Sequence, residues 1–148
     1  MNSKKMALGL ALGLSLVAGS AFAQGACNMP KDLEAGKAVA NTCKTCHVFE
    51  ADKPSRPTGP NLHDVYGAKV AARADYTKYS DALKEAAAKG TVWDDANLMA
   101  YIADPKEFLT KVNGKDLKHG MLFKVTDEQK RKNMVEFLKF IKDKKECP

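Results

Sequence analysis

The chain has 148 residues, a formal net charge of +6 and four cysteines, enough length for one domain with a modest core. The charge comes from scattered lysines, with three arginines in all (Arg56, Arg73, Arg131) and no arginine-rich run, which excludes the footprint of a nucleic-acid binder. A basic surface of this kind suits docking to an acidic partner.

At the N-terminus, Lys4 and Lys5 precede an apolar run from Met6 to Ala18, broken only by Gly9, Gly13 and Ser15. Ala21-Phe22-Ala23 then puts small residues at the −3 and −1 positions before Gln24. This three-part pattern predicts a secretory signal peptide over residues 1–23, cleaved after Ala23, and export to the periplasm of a single domain over residues 24–148. An uncleaved membrane anchor is the alternative, although the run is short against the ~20 residues of a membrane span. Gln24 stands where a lipoprotein signal directed at Cys27 would need an aliphatic residue. Losing Lys4 and Lys5 lowers the net charge by two.

Lys31 to Cys43 reads as a short helix, with Pro30 before its start and Leu33, Gly36 and Ala40 near one face. From Val48 to Tyr79 no period is visible, and Pro54, Pro57, Gly59, Pro60 and Gly67 punctuate the stretch. A loop that long inside a compact domain is either functional or a sign of misassigned elements, and something must fill the space it wraps. Ser80 is placed to cap a helix running to Lys89, with Gly90 as its stop. Asp94 is placed to cap the next, in which Leu98, Tyr101 and Ile102 share a face, and Pro105 is expected to end it. A second irregular loop is predicted from Lys106 to Lys124. The last helix is the clearest: Thr126-Asp-Glu-Gln129 reads as a capping box, and Met134, Phe137, Leu138 and Ile141 form an apolar stripe. The expectation is an all-α domain of about four helices joined by two long loops, poor in apolar core unless a large apolar cofactor supplies it.

The chemistry is concentrated in Cys43-Lys-Thr-Cys46-His47. Structural zinc needs four ligands, usually two such pairs, and Cys27 and Cys147 stand alone at the two ends. A thioredoxin-like pair belongs at the start of a helix after a strand, whereas this one closes a helix in a chain without β alternation. Covalent haem uses every feature: two thiols at i and i+3 can form thioethers with one porphyrin, and the next residue supplies an imidazole to the iron. One motif implies one haem c. The sixth iron position decides between carrier and catalyst. Its candidates are His63, His119 and the methionines; Met99 and Met134 sit at helical spacing and read as core. Met121 lies in the predicted loop, in "KHGMLFKV", with Leu122 and Phe123 beside it. A thioether there can reach a buried iron. His63 reads as a histidine at the surface or just behind the residues that hold the cofactor, and His119 as a loop histidine.

These residues together resemble a class I cytochrome c, the soluble electron-carrier type of mitochondria and bacteria, over Leu33 to about Lys142. After the thiol pair, Thr58-Gly-Pro-Asn-Leu-His63 is similar to the segment in which a proline backs the haem histidine, a place taken by Pro60. Tyr79-Ser80-Asp81-Ala82 and Trp93 resemble the propionate-bonding tyrosine and tryptophan. Tyr101 falls near the methionine ligand, and Met121-Leu122-Phe123 resembles the ligand and the aromatic behind it. Ala68 stands where many members carry an arginine that holds a propionate, so Lys69 or Arg73 is expected to substitute. Val39 stands where an aromatic often lies between the end helices. The loop between Pro105 and Met121 is longer than in the mitochondrial form.

The resemblance implies packing of the two end helices, which would bring Cys27 and Cys147 close enough for a disulfide in an oxidising compartment. It implies His47 and Met121 as axial ligands, Cys43 and Cys46 as haem thioethers, and Pro60, Tyr79, Trp93, Tyr101 and Phe123 around the haem. The expected function is not catalysis but one-electron shuttling between respiratory or photosynthetic partners through an exposed haem edge. Lys44, Lys53, Lys106, Lys111, Lys115, Lys118 and Lys124 lie near the two loops that should rim that edge. They would steer acidic-surfaced redox proteins to a monomer that meets the membrane only through partner complexes. Two alternatives stay open: a haem subunit held in a larger dehydrogenase or oxidase, and a gas-binding sensor or enzyme with a displaceable sixth ligand.

Overall fold

The computed structural model describes residues 27–144 and Cys147. The expected signal peptide and its cleavage site lie outside the described residues. Among the described residues there are five α-helices and no strand, only isolated bridges such as Val48 with Asn61 and Lys69 with Val92. No described helix is long and apolar enough to cross a membrane.

A 3-10 turn over Lys31–Leu33 leads into α1, Glu34–Cys43. α2 spans Asp81–Ala88 and is capped by the Ser80 hydroxyl, which accepts from the Leu83 amide. α3 spans Asp95–Ala103 under an Asp94 cap, and buries Leu98 and Ile102. α5, Glu128–Lys142, buries the expected stripe of Met134, Phe137, Leu138 and Ile141 together with Val135. Its cap is Asp127, which accepts from the Lys130 amide, so Thr126 lies one residue before the cap rather than at it.

The predicted loop from Lys106 to Lys124 is half wrong. α4 spans Pro105–Asn113 and is an element of its own. Asp104 is extended (φ −154°, ψ 98°), as a residue before proline must be, and both helices meet on it. Its amide bonds back to Ala100 of α3, while its carboxylate accepts from the amides of Lys106 and Glu107. Proline ends α3 but also fits the first position of α4, where its missing N–H costs nothing. Phe108 and Leu109 bury α4, and Gly114 stops it in the left-handed region (φ +72°).

α1 packs across α5 at a contact only glycine allows. A Cβ on Gly36 would lie 2.2 Å from the Asn133 carbonyl oxygen and 2.7 Å from Phe137 Cβ. α3 packs on α4 and α5, and α2 on α4. Phe49, from the first long loop, inserts edge-on against Phe137, with ring centroids 6.0 Å apart. Cys27 and Cys147 are joined by a disulfide, their Cα atoms 4.8 Å apart. The long loop is tied down by backbone bonds rather than by helix: Leu62 to Val48, Gly67 to Trp93, Val70 to Thr91 and Trp93 to Ala68. Asn61, buried at 3% exposure, donates to the carbonyls of Glu50 and Lys53 and closes the loop between them.

Candidate functional site

The helices and the first loop enclose a cavity of about 1270 Å³. That exceeds the roughly 300–1,000 Å³ of ordinary small-molecule pockets. Its lining brings together the two thiols, the imidazole and the loop methionine: Cys43, Cys46, His47 and Met121. Pro60, Tyr79, Trp93, Tyr101 and Phe123 line it as well. His63 and His119 are not in the lining. Met99 is a partly buried helix residue outside it, and Met134 is a core residue that also touches it.

The last turn of α1 presents the thiol pair. Cys43 is half-buried, its thiol pushed up chiefly by burial, with the Thr42 hydroxyl opposing and the neighbouring Cys46 adding a lesser push upward. The amides of Cys46 and His47 both bond back to the Cys43 carbonyl, which sets the turn. From outside, the Thr58 hydroxyl donates to the Cys46 carbonyl (3.1 Å) and Arg56 Nε to the His47 carbonyl (3.3 Å).

His47 Nδ1 lies 2.8 Å from the Pro60 carbonyl oxygen, which can only accept, so Nδ1 carries the proton. Nε2 is then the lone-pair nitrogen of a ring that lines the cavity. Burial pushes the imidazole pKa down, outweighing the Pro60 bond, and so favours the neutral, ligating form. Gly59 makes the approach possible: a Cβ there would stand 2.6 Å from His47 Cε1 and 2.8 Å from Nδ1.

Trp93 and Tyr101 of the lining form an aromatic cluster with Phe108 behind them, Trp93 lying 4.8 Å from Tyr101 and 6.0 Å from Phe108 between centroids. Burial pushes the Tyr101 hydroxyl well above the usual phenol range, so it stays neutral. Phe123 is less enclosed than expected of an aromatic behind the ligand, 50% exposed beside Leu122 at 77%. The Tyr79 hydroxyl accepts from the Arg73 amide, 3.2 Å away.

The cationic rim differs from the expectation. Of the seven lysines expected at the rim only Lys53 lines the cavity; Lys78 lines it too, as do Lys69 and Arg73, the two residues expected in place of a propionate-holding arginine. Lys44, Lys106, Lys115 and Lys124 are engaged by Glu50, Asp116, Glu85 and Asp104. His63 is not a surface histidine: it is 2% exposed. Gly59 and Asn61 hold the site in ways the sequence reading did not assign, although both lie in the segment it singled out.

The donor set and the lining fit a covalently bound haem. Two thiols one turn apart, a neutral imidazole with its other nitrogen committed, and a thioether all reach one large apolar cavity. No family model matches the chain. It is 37% identical over 132 residues to cytochrome c2 of Rhodospirillum rubrum, covering 88% of this chain and 96% of that protein. Among solved structures it is similar to cytochrome c2 from Rhodobacter sphaeroides, with a TM-score of 0.69 and 36% identity over 74% of this chain and 94% of that one. It is similar also to ferric cytochrome c-550 from Paracoccus versutus, with a TM-score of 0.66 and 35% identity over 75% and 98%.

Proposed function

Because the chain belongs to the class I cytochromes c, electron carriers with one covalent haem c rather than enzymes, we propose that it shuttles single electrons in the periplasm with His47 and Met121 as axial iron ligands. The observation that carries this reading is the convergence of Cys43, Cys46, His47 and Met121 on one cavity, with His47 Nδ1 already committed to Pro60. When bound, the haem supplies the one-electron chemistry between ferric and ferrous iron.

The protein's own part is to hold, desolvate and expose. His47 offers Nε2 without a proton to lose. Met121 offers a soft, neutral sulfur, which favours the ferrous state relative to a second histidine. Trp93 and Tyr101 keep water from one side of the cavity. With His47 and Met121 both holding the iron no place would be left for a substrate, so the protein would transfer electrons only. Leu122 and Phe123, exposed at the cavity mouth, and Lys53, Lys69 and Lys78 around it suit brief contact with acidic-surfaced respiratory or photosynthetic partners. The carrier is a monomer of residues 24–148, released after cleavage behind Ala23.

The test is an optical spectrum of the exported protein, oxidised and reduced, with and without carbon monoxide. A low-spin spectrum, with the weak ferric methionine–iron band and no change on adding carbon monoxide to the reduced form, is expected. High-spin iron or ready carbon monoxide binding would overturn Met121 ligation and leave a sensor or enzyme.

A further inference from the structure

His63 sits behind the cavity wall with both ring nitrogens against oxygens that only accept. Nδ1 lies 2.7 Å from Asp64 Oδ1, and Nε2 lies 3.2 Å from the backbone carbonyl oxygen of Lys144. A neutral imidazole has one donor and one acceptor, so one of these contacts would set lone pair against lone pair. An imidazolium has two donors and satisfies both. The ring is 2% exposed, and a buried charge needs a paired and hydrogen-bonded partner. Asp64 is that partner.

The network continues outward into the wall. Asp64 Oδ2 accepts from Arg73 Nη1 at 3.1 Å, and Arg73 Nε donates to Asp75 Oδ1 at 2.8 Å. Asp75 in turn accepts from the Ser55 amide and hydroxyl, at 2.7 and 2.9 Å. Asp64, Arg73 and Asp75 all line the cavity, while His63 does not. On the other side, the Lys144 carbonyl also accepts from the Cys147 amide at 3.0 Å, next to the disulfide to Cys27. His63 is thus the joint between the cavity wall and the closed C-terminal segment. The charged side chain hydrogen-bonded to it is Asp64, with Arg73 bonded beyond, while Lys144 meets the ring through its backbone carbonyl.

We propose that His63 is a positioning residue that works as an imidazolium, its two N–H groups tying Asp64, and through it Arg73, to the C-terminal segment at Lys144. Loss of one proton to bulk water removes one donor. The ring then keeps only one of its two partners, and the wall loses a positive charge. The second effect rests on the reading of the cavity as the haem site: less positive charge beside the haem favours ferric iron, so the potential falls as pH rises.

The experiment uses the reduced, 15N-histidine-labelled holoprotein over about pH 5 to 9, the range in which histidine charge changes are read. Three curves are recorded: nitrogen shifts of His63, hydrogen exchange of the Cys147 amide, and midpoint potential. Two protonated nitrogens at the acidic end, and one shared midpoint for all three curves, are expected. His63→Gln, which keeps a donor but no charge, should give a lower potential that no longer follows that midpoint. A His63 with a single protonated nitrogen at the acidic end would overturn the proposal, as would a potential curve unchanged in His63→Gln. If the protein carries no haem, the nitrogen shifts and amide exchange still decide the role of His63 by themselves.

Discussion

The Pro60 carbonyl accepts from His47 Nδ1 at 2.8 Å, and it can do so because Gly59 leaves nothing between the loop and the ring. This approach fixes the tautomer and aims the whole imidazole. Gly59→Ala places a methyl 2.6 Å from His47 Cε1, and either the ring or the Cys46–His47 turn must shift. Overpacking of this kind costs typically about 1–3 kcal/mol. The expected outcome is a lower melting temperature together with a weakened ferric methionine–iron band. A variant with the wild-type spectrum and stability would show that the loop gives way more easily than this geometry allows.

Gly36 does for the helix crossing what Gly59 does for the ligand. Its missing Cβ lets α1 approach the Asn133 carbonyl and Phe137 on α5. Gly36→Ala would ordinarily strengthen a helix by about 1 kcal/mol through propensity. Here the clash with backbone outweighs that gain, and net destabilisation by about 1–3 kcal/mol is expected in denaturant unfolding. A stabilised variant would mean that α1 and α5 can part at little cost.

The parts of this fold legible in sequence are those that local chemistry decides. The Ser80 and Asp94 caps depend on residues three positions apart, and the α5 stripe runs only from Met134 to Ile141. α4 is hidden in the sequence because Pro105 reads as a stop for α3. Asp104 before it, Glu107 after it and Gly114 at the end spell a complete start and stop signal. The site was legible in part for the same reason, because the thiols and His47 fall within five residues. What could not be read depends on contacts across the chain. His63 is buried by Lys144, far along the sequence, and Asn61 works by bridging Glu50 and Lys53. Which lysines line the cavity depends likewise on where the loops carry them: Lys53 does, although it is paired with Asp52, whereas Lys106 and Lys115 do not.

The Cys27–Cys147 disulfide closes a sequence separation of 120 residues. In the loop-entropy model, closing a loop of that size stabilises by roughly 4–5 kcal/mol. Replacing both cysteines by serine is expected to lower unfolding stability by up to that amount. Neither cysteine lines the cavity, so the visible spectrum should be unchanged. A spectrum that changes with the clasp would tie the C-terminal segment to iron ligation more tightly than these contacts do.

Asp75 gives the protein an acid limit. The Ser55 amide, helped by Arg73 and the Ser55 hydroxyl, lowers its pKa from the ordinary 3.8 to about 2. A group depressed on folding stabilises fully above its unfolded value, and the contribution is lost as pH falls through the folded one. The melting temperature should therefore drop as pH falls from 3.8 towards 2. Asp104, depressed by Lys124, and Glu128, depressed by Lys132, act in the same direction. In Asp75→Asn the drop should be shallower, and an equal slope in the two proteins would remove Asp75 from the account.

Arg131 latches the segment that follows Met121. Its Nη1 donates to the carbonyls of Val125 and Thr126 at 2.8 and 2.7 Å, while the Val125 amide donates to Ile102 of α3. The loop carrying Met121 is thus held between α3 and α5 just beyond Lys124, itself paired with Asp104. Hydrogen bonds from a charged donor are worth about 1.5–3 kcal/mol. Arg131→Met is expected to cost that much in stability and to free the loop first. The ferric methionine–iron band should then disappear on heating at a lower temperature than helix unfolding, a separation smaller or absent in the wild type. Arg131→Lys, which keeps the charge and a donating ammonium but not the planar fork, should recover part of it. If band and helix are lost together in Arg131→Met, Arg131 stabilises the domain as a whole and does not hold the methionine loop.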